Sequence, residues 1–194
     1  MDAKETLRQM HRGVRYMFEN SIKSVFSYEQ MKDRVDEKGN SIAWLMWHMA
    51  RTEDVVVSSL VQGIPQVLIS GDWLPKLGIE EEHIGTGLGD DDVAEFTKKM
   101  NVEAVDDYWS AVAKASFHWL KGTEEADLDV VPDFGPRLAA IPPIIAGGAN
   151  EMAATVWEGR TAGQLFMSVV IGHGYIHIGQ MQEIGGRLGT VGWF

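Results

Sequence analysis

The sequence predicts an all-α protein, a four-helix bundle with long connecting loops, and three observations carry that prediction. Four long stretches repeat apolar residues at helical spacing. Serine and threonine stand where two of these stretches begin, and three aspartates where a shorter one does, as helix starts require. The connections between them are so rich in proline and glycine that little room is left for a strand. A chain of 194 residues with 45% hydrophobic content can bury a sizeable core as one domain, taken here as residues 1–194.

In the first helix Leu7, Met10, Val14, Met17, Phe18, Ile22, Val25 and Phe26 form the apolar stripe, while Arg8, Arg12, Arg15, Glu19 and Lys23 fill much of the other face. His11 falls on or beside that stripe and reads as a partly buried or surface histidine. After the polar run Lys32 to Asn40, Ser41 is placed as the N-cap of a second helix reaching about Leu60, which Gly63 and Pro65 end. The stretch Ile64 to Gly89 is irregular, and a connection of that length in a compact domain usually covers or does something. His83, among Glu80, Glu81 and Glu82, reads as a solvated loop residue.

Asp90, Asp91 and Asp92 put negative charge where a helix dipole favours it, so a short helix to Lys99 is expected, then a longer one from about Val102 to Lys121. His118 does not fall clearly on the apolar side of the longer one. Residues 122 to 160 are mostly connection, with a short helix possible at Ala149 to Trp157. Thr161 and Gln164 then form a capping box for the final helix, expected to close at Gly185-Gly186 with an apolar tail, Leu188 to Phe194, folding back on the bundle or meeting a second subunit.

Composition excludes several chemistries. The net charge of −11 leaves no concentrated cationic footprint, so no nucleic acid is expected as a partner. There are no cysteines, which removes disulfides, thiolate ligands and a cysteine nucleophile, and any thiol chemistry needs a thiol from outside. The N-terminus is charged and no apolar run reaches membrane-spanning length, so a cytoplasmic protein without a membrane partner is expected.

The residues that point to a site are His173 and His177, four apart on the final helix and therefore on one face, the geometry a single metal ion needs from two imidazoles. On spacing alone, a pair of hydrogen-bonded core histidines accounts for them as well. Their position along the apolar stripe (Leu165, Val169, Ile176, Ile184), the glycines at 172, 174 and 179 that permit close approach, and His48 between Trp44, Leu45, Trp47 and Met49 favour a metal. Three neutral imidazoles leave coordination positions open, which is the arrangement of a catalytic metal and not of a closed structural one. Gln180 and Thr52, each about a turn beyond a histidine, are candidates for orienting ligands or substrate. Glu53 and Asp54 are each a candidate carboxylate base, or residues of a solvated helix face.

Two segments resemble the DinB-like superfamily of four-helix bundles, which includes bacillithiol- and mycothiol-dependent S-transferases. Asn40-Ser41-Ile42-Ala43-Trp44-Leu45-Met46-Trp47-His48-Met49-Ala50-Arg51-Thr52-Glu53-Asp54 looks like the family's second-helix motif, and His173-Gly174-Tyr175-Ile176-His177-Ile178-Gly179-Gln180 looks like its H-x-x-x-H-x-G-Q pattern. The resemblance implies an up-down-down-up bundle, often a homodimer, with His48, His173 and His177 as ligands to zinc, nickel or another divalent ion. The expected function is a metal-dependent, thiol-using S-transferase acting on a small-molecule substrate. The alternatives are a non-catalytic metal-binding module and a metal-assisted hydrolase. The long connections at Ile64 to Gly89 and Gly122 to Arg160 are expected to wall the metal pocket.

Overall fold

In the computed structural model, which describes residues 2–36, 38–148 and 150–189 apart from the side chains of Glu151 and Met152, the described residues form helices and no strand. The second helix is the element the others surround. Every residue of α2, Ile42–Asp54, is buried, as expected of a sequence apolar on nearly all sides, with no face left for water. It needs a first turn closed from within, and the Ser41 hydroxyl accepts the Trp44 amide at 3.0 Å. α2 continues through a wide π-helical segment, Val55–Gln62, until Gly63 turns left-handed.

α1, Ala3–Phe18, precedes it, capped by Asp2 and prolonged by a π segment, Glu19–Lys23. After α2 come two short helices, α3 (Val67–Ser70) and α4 (Trp73–Leu77), inside a stretch of irregular sequence pattern. α5 (Asp90–Lys99) starts at its three aspartates, and α6 (Val102–Gly122) runs long and packs along α2. Short helices α7 (Phe134–Ala139) and α8 (Glu151–Trp157) lie in the second long connection. The final helix is α9 (Ala162–Leu165), a π segment (Phe166–Gly172) and α10 (His173–Arg187), and it packs against α1 and α2.

The capping box at Thr161 and Gln164 forms as expected. The end of this helix does not. Gly185 and Gly186 stay helical and the chain turns left-handed only at Gly189. Gly185 answers to packing instead, because a Cβ there would lie 2.8 Å from the Phe26 ring. The stripe expected through Ile176 is also displaced: the π segment adds a residue to the turn and rotates the turns beyond it, so Gly174, Ile178, Met181 and Ile184 face the core while Ile176 is exposed. Of the apolar tail, residues 190–194 lie outside the described residues.

Glu53 and Asp54 do not sit on a solvated face. Asp54 accepts the amides of Val67 and Leu68 at 2.9 Å each, the Ser58 hydroxyl at 2.8 Å and the Tyr108 hydroxyl at 2.7 Å. Arg51, equally buried, donates to Gln66 Oε1 at 2.8 Å and to the Glu82 carbonyl at 2.6 Å. Buried charges persist only when partnered in this way. The network ties the connection beyond α2 back onto α2, and this fixes where residues 82–86 run.

Candidate metal centre

His48 projects from the middle of α2 and stacks on Trp44, one turn earlier, at 4.9 Å between centroids. Its Nδ1–H donates to the carbonyl of Ile84, on the connection held by Arg51. That carbonyl reaches the ring because Gly85 lies directly over Trp44 and Trp47: its φ is +89°, and a Cβ would sit 2.8 Å from both indoles. His173 begins α10 straight after the π segment, and His177 stands one turn on. Gly174 lets this turn approach α1, where a Cβ would meet Val14 at 3.0 Å. Gly179, by contrast, has open space around it among the described residues and serves no close approach to them.

The three rings converge. His48 Nε2 lies 3.0 Å from His173 Nε2, which lies 2.8 Å from His177 Nε2. His177 Nδ1–H donates to Gln180 Oε1 at 2.6 Å. With Nδ1 protonated on His48 and on His177, both Nε2 atoms present lone pairs toward His173. His173 has at most one proton to offer at that nitrogen, so two acceptors compete for one donor. Burial drives all three imidazoles toward the neutral form. It takes His48 down to about 4 against the Ile84 hydrogen bond, takes His173 to about 3 with help from its two neighbours, and lowers His177 against the Gln180 hydrogen bond.

Neutral imidazoles with converging lone pairs are the donor set of a divalent ion. Bonds of ~2.0–2.1 Å at angles between ~90° and tetrahedral separate ligand nitrogens by ~2.8–3.4 Å, and the spacings of 3.0 Å and 2.8 Å sit at the short end of that range. Among the described residues this is the group of three or more histidine or carboxylate residues that can hold a metal ion.

A cavity of about 360 Å³ opens beside it, lined by His48, His173 and Thr52. Both long connections wall it, through Ile84 and Thr86 from the first and Ile145, Ala153, Val156 and Trp157 from the second. The Thr52 hydroxyl is buried there without a hydrogen-bond partner among the described residues. Glu53 is elsewhere. Its carboxylate meets His11 Nε2 at 2.7 Å between α1 and α2, and it does not line this cavity. His11 is therefore buried and ion-paired, neither at the surface nor at the metal centre. His83 is half-buried and edge-on to Trp47, not a fully solvated loop residue, while His118 lies on α6 against Phe117.

Two contributors to the cavity escape a reading of the sequence. The Ile84 carbonyl is a backbone group with no residue-type signature. Arg160, which also lines the cavity, stands out in the sequence only as the residue before the Thr161 cap.

The family model of the DinB superfamily matches residues 10–181 of the chain. A crystal structure of a conserved protein from Enterococcus faecalis superimposes with a TM-score of 0.68, covering 96% of this chain and 99% of that one, at 18% identity, a likeness of fold. No curated protein matches the sequence.

Proposed function

The chain belongs to the DinB superfamily, and from that premise we propose that it is a metal-dependent enzyme, a thiol-using S-transferase acting on a small molecule. The observation that carries the reading is the convergence of three neutral imidazoles at the wall of a cavity large enough for a small substrate. In this reading His48, His173 and His177 hold a divalent ion, zinc or nickel. Such an ion, when bound, supplies Lewis acidity that lowers the pKa of a thiol or of water. The thiol comes from outside, since the chain has no cysteine.

The chain's own residues arrange the rest. The Ile84 carbonyl and the Gln180 side chain hold two rings in the tautomer that frees Nε2. The Thr52 hydroxyl, without a partner among the described residues, offers a hydrogen bond to a molecule in the cavity. Glu53, engaged with His11, has no part in the proposal.

Elemental analysis of the purified protein and of His173→Ala tests the site. The reading expects about one divalent ion per chain in the first and loss of most of it in the second, and equal content in both removes the site. Conjugation of monochlorobimane with a panel of low-molecular-weight thiols tests the transfer. Turnover with at least one thiol, abolished in His173→Ala, is the expected result. Tight metal binding with no turnover on any thiol overturns the transferase reading and leaves the non-catalytic metal-binding module and the metal-assisted hydrolase.

A further inference from the structure

Resting on that reading of the site, we infer that the cavity takes a substrate with one carboxylate at the end of an apolar body, and that Arg160 binds the carboxylate. The chain carries a net charge of −11, yet among the described residues no aspartate or glutamate lines this cavity, and the one cationic side chain lining it is an arginine. Arg160 sits at the turn between α8 and α9. Its Nη1 donates to Ser168 Oγ at 3.0 Å, and the Ser168 hydroxyl in turn donates to the Gln164 carbonyl at 2.7 Å.

One arm of the guanidinium is thus held by a neutral partner that is itself fixed. No carboxylate among the described residues pairs with it, and its guanidinium has no protein acceptor among them besides Ser168. A planar fork held on one side and free on the other is suited to grip a carboxylate. The buried apolar walls of the cavity, Ile145, Ala153, Trp157 and Val169, weaken the screening that water would give such a contact and match a hydrocarbon or aryl body. At the metal end the Thr52 hydroxyl, buried without a partner among the described residues, supplies the second polar anchor. A guanidinium that merely tethered the helix start would need none of this geometry.

Calorimetric titration of the metal-loaded protein with 4-phenylbutyrate and with 4-phenylbutan-1-ol tests the inference, since the two differ only in the anionic group. The acid is expected to bind about tenfold or more tightly than the alcohol, as a charge-assisted contact to a partly buried guanidinium implies. Arg160→Gln is expected to erase the preference, and Arg160→Lys to keep part of it, with melting temperatures recorded for both. His173→Ala, which removes a metal ligand and leaves Arg160, is expected to keep the preference. Equal affinity for acid and alcohol, no binding of either at millimolar concentration, or a preference that survives Arg160→Gln overturns the inference. So does a preference lost in His173→Ala, which puts the anion on the metal. Metal content is measured separately in each variant, so failure of the metal site and failure of the anion site give different results.

Discussion

Replacing Glu53 should destabilise the protein strongly while leaving its metal content intact. Glu53 and His11 face each other at 2.7 Å with side chains each 6% exposed, so solvent screens the pair little. Burial lowers the His11 pKa, but the Glu53 carboxylate outweighs it by charge and hydrogen bond, and the net shift is upward. Removing one partner of a buried pair leaves the other uncompensated and costs about 3–5 kcal/mol, so Glu53→Ala is expected to lose that much. Glu53→Gln, which keeps a hydrogen bond and loses the charge, is expected to lose about 1.5–3 kcal/mol.

The pH dependence has a definite sign. A histidine whose folded pKa is raised contributes stability that is fully present below its unfolded value of about 6.5 and lost as pH rises through the folded value. Without the carboxylate, burial and the nearby Arg12 charge both lower the His11 pKa, its shift reverses, and the variant gains stability as pH rises. The gap between wild type and Glu53→Gln is therefore widest near about pH 6 and narrows toward about pH 9. Urea unfolding across that range measures it, with the His11 titration followed by NMR. A cost that is flat or grows with pH, or a parallel loss of metal, would refute the placement of Glu53 in the structural pair.

Gln180→Ala frees the His177 ring from its 2.6 Å hydrogen bond and is expected to weaken metal binding about 10- to 100-fold in a chelator competition, with little change in melting temperature. Tyr108→Phe takes a hydroxyl from between Arg51 and Asp54, and chemical denaturation should register about 1.5–3 kcal/mol for loss of these charged hydrogen bonds. Gly185→Ala drives a methyl to 2.8 Å from Phe26 and is expected to destabilise by about 1–3 kcal/mol. Gly179→Ala, equally helical but with open space around it, is expected to stabilise by about 0.5–1 kcal/mol in the same assay. Gly85→Ala meets both a left-handed backbone, at about 1–2 kcal/mol, and the two indoles, so thermal melts should show a loss and the chelator competition a weaker metal.

The helices and the three histidines are legible in the sequence because their signals are local. Caps and helical periodicity lie within a few residues of one another, and His173 and His177 share a face by spacing alone. His48 joins them on a weaker signal, an imidazole set among tryptophans and methionines. Legibility ends where a residue's default setting is overridden by the fold. Charged residues usually face water, which favours a solvated face for Glu53 and Asp54, yet α2 is enclosed on all sides and its carboxylates turn to partners that come from α1, α3 and α6. An unbroken helical period through the final helix puts Ile176 in the core, whereas a π segment at residues 166–172 resets the period and takes Ile176 out of it. Nothing local announces such a segment.

The buried charges on α2 bear on the histidine of the same helix. Arg51 grips the carbonyl of Glu82, and two residues on the carbonyl of Ile84 receives His48 Nδ1–H. Between the Glu82 and Gly85 positions the chain has little freedom, because Gly85 is pressed onto Trp44 and Trp47 and the Ile84 amide donates to the Ile144 carbonyl at 2.8 Å. A neutral imidazole can carry its proton on either nitrogen, and only the form protonated at Nδ1 leaves Nε2 free to face His173. The connection therefore selects that form, and Arg51 and Asp54 hold the connection. A hydrophobic substitute for the Arg51–Asp54 pair can match its stability, as buried ion pairs often allow. It would not hold residues 82–85 at the distance His48 requires, and that positional demand accounts for charges kept in the centre of an apolar helix.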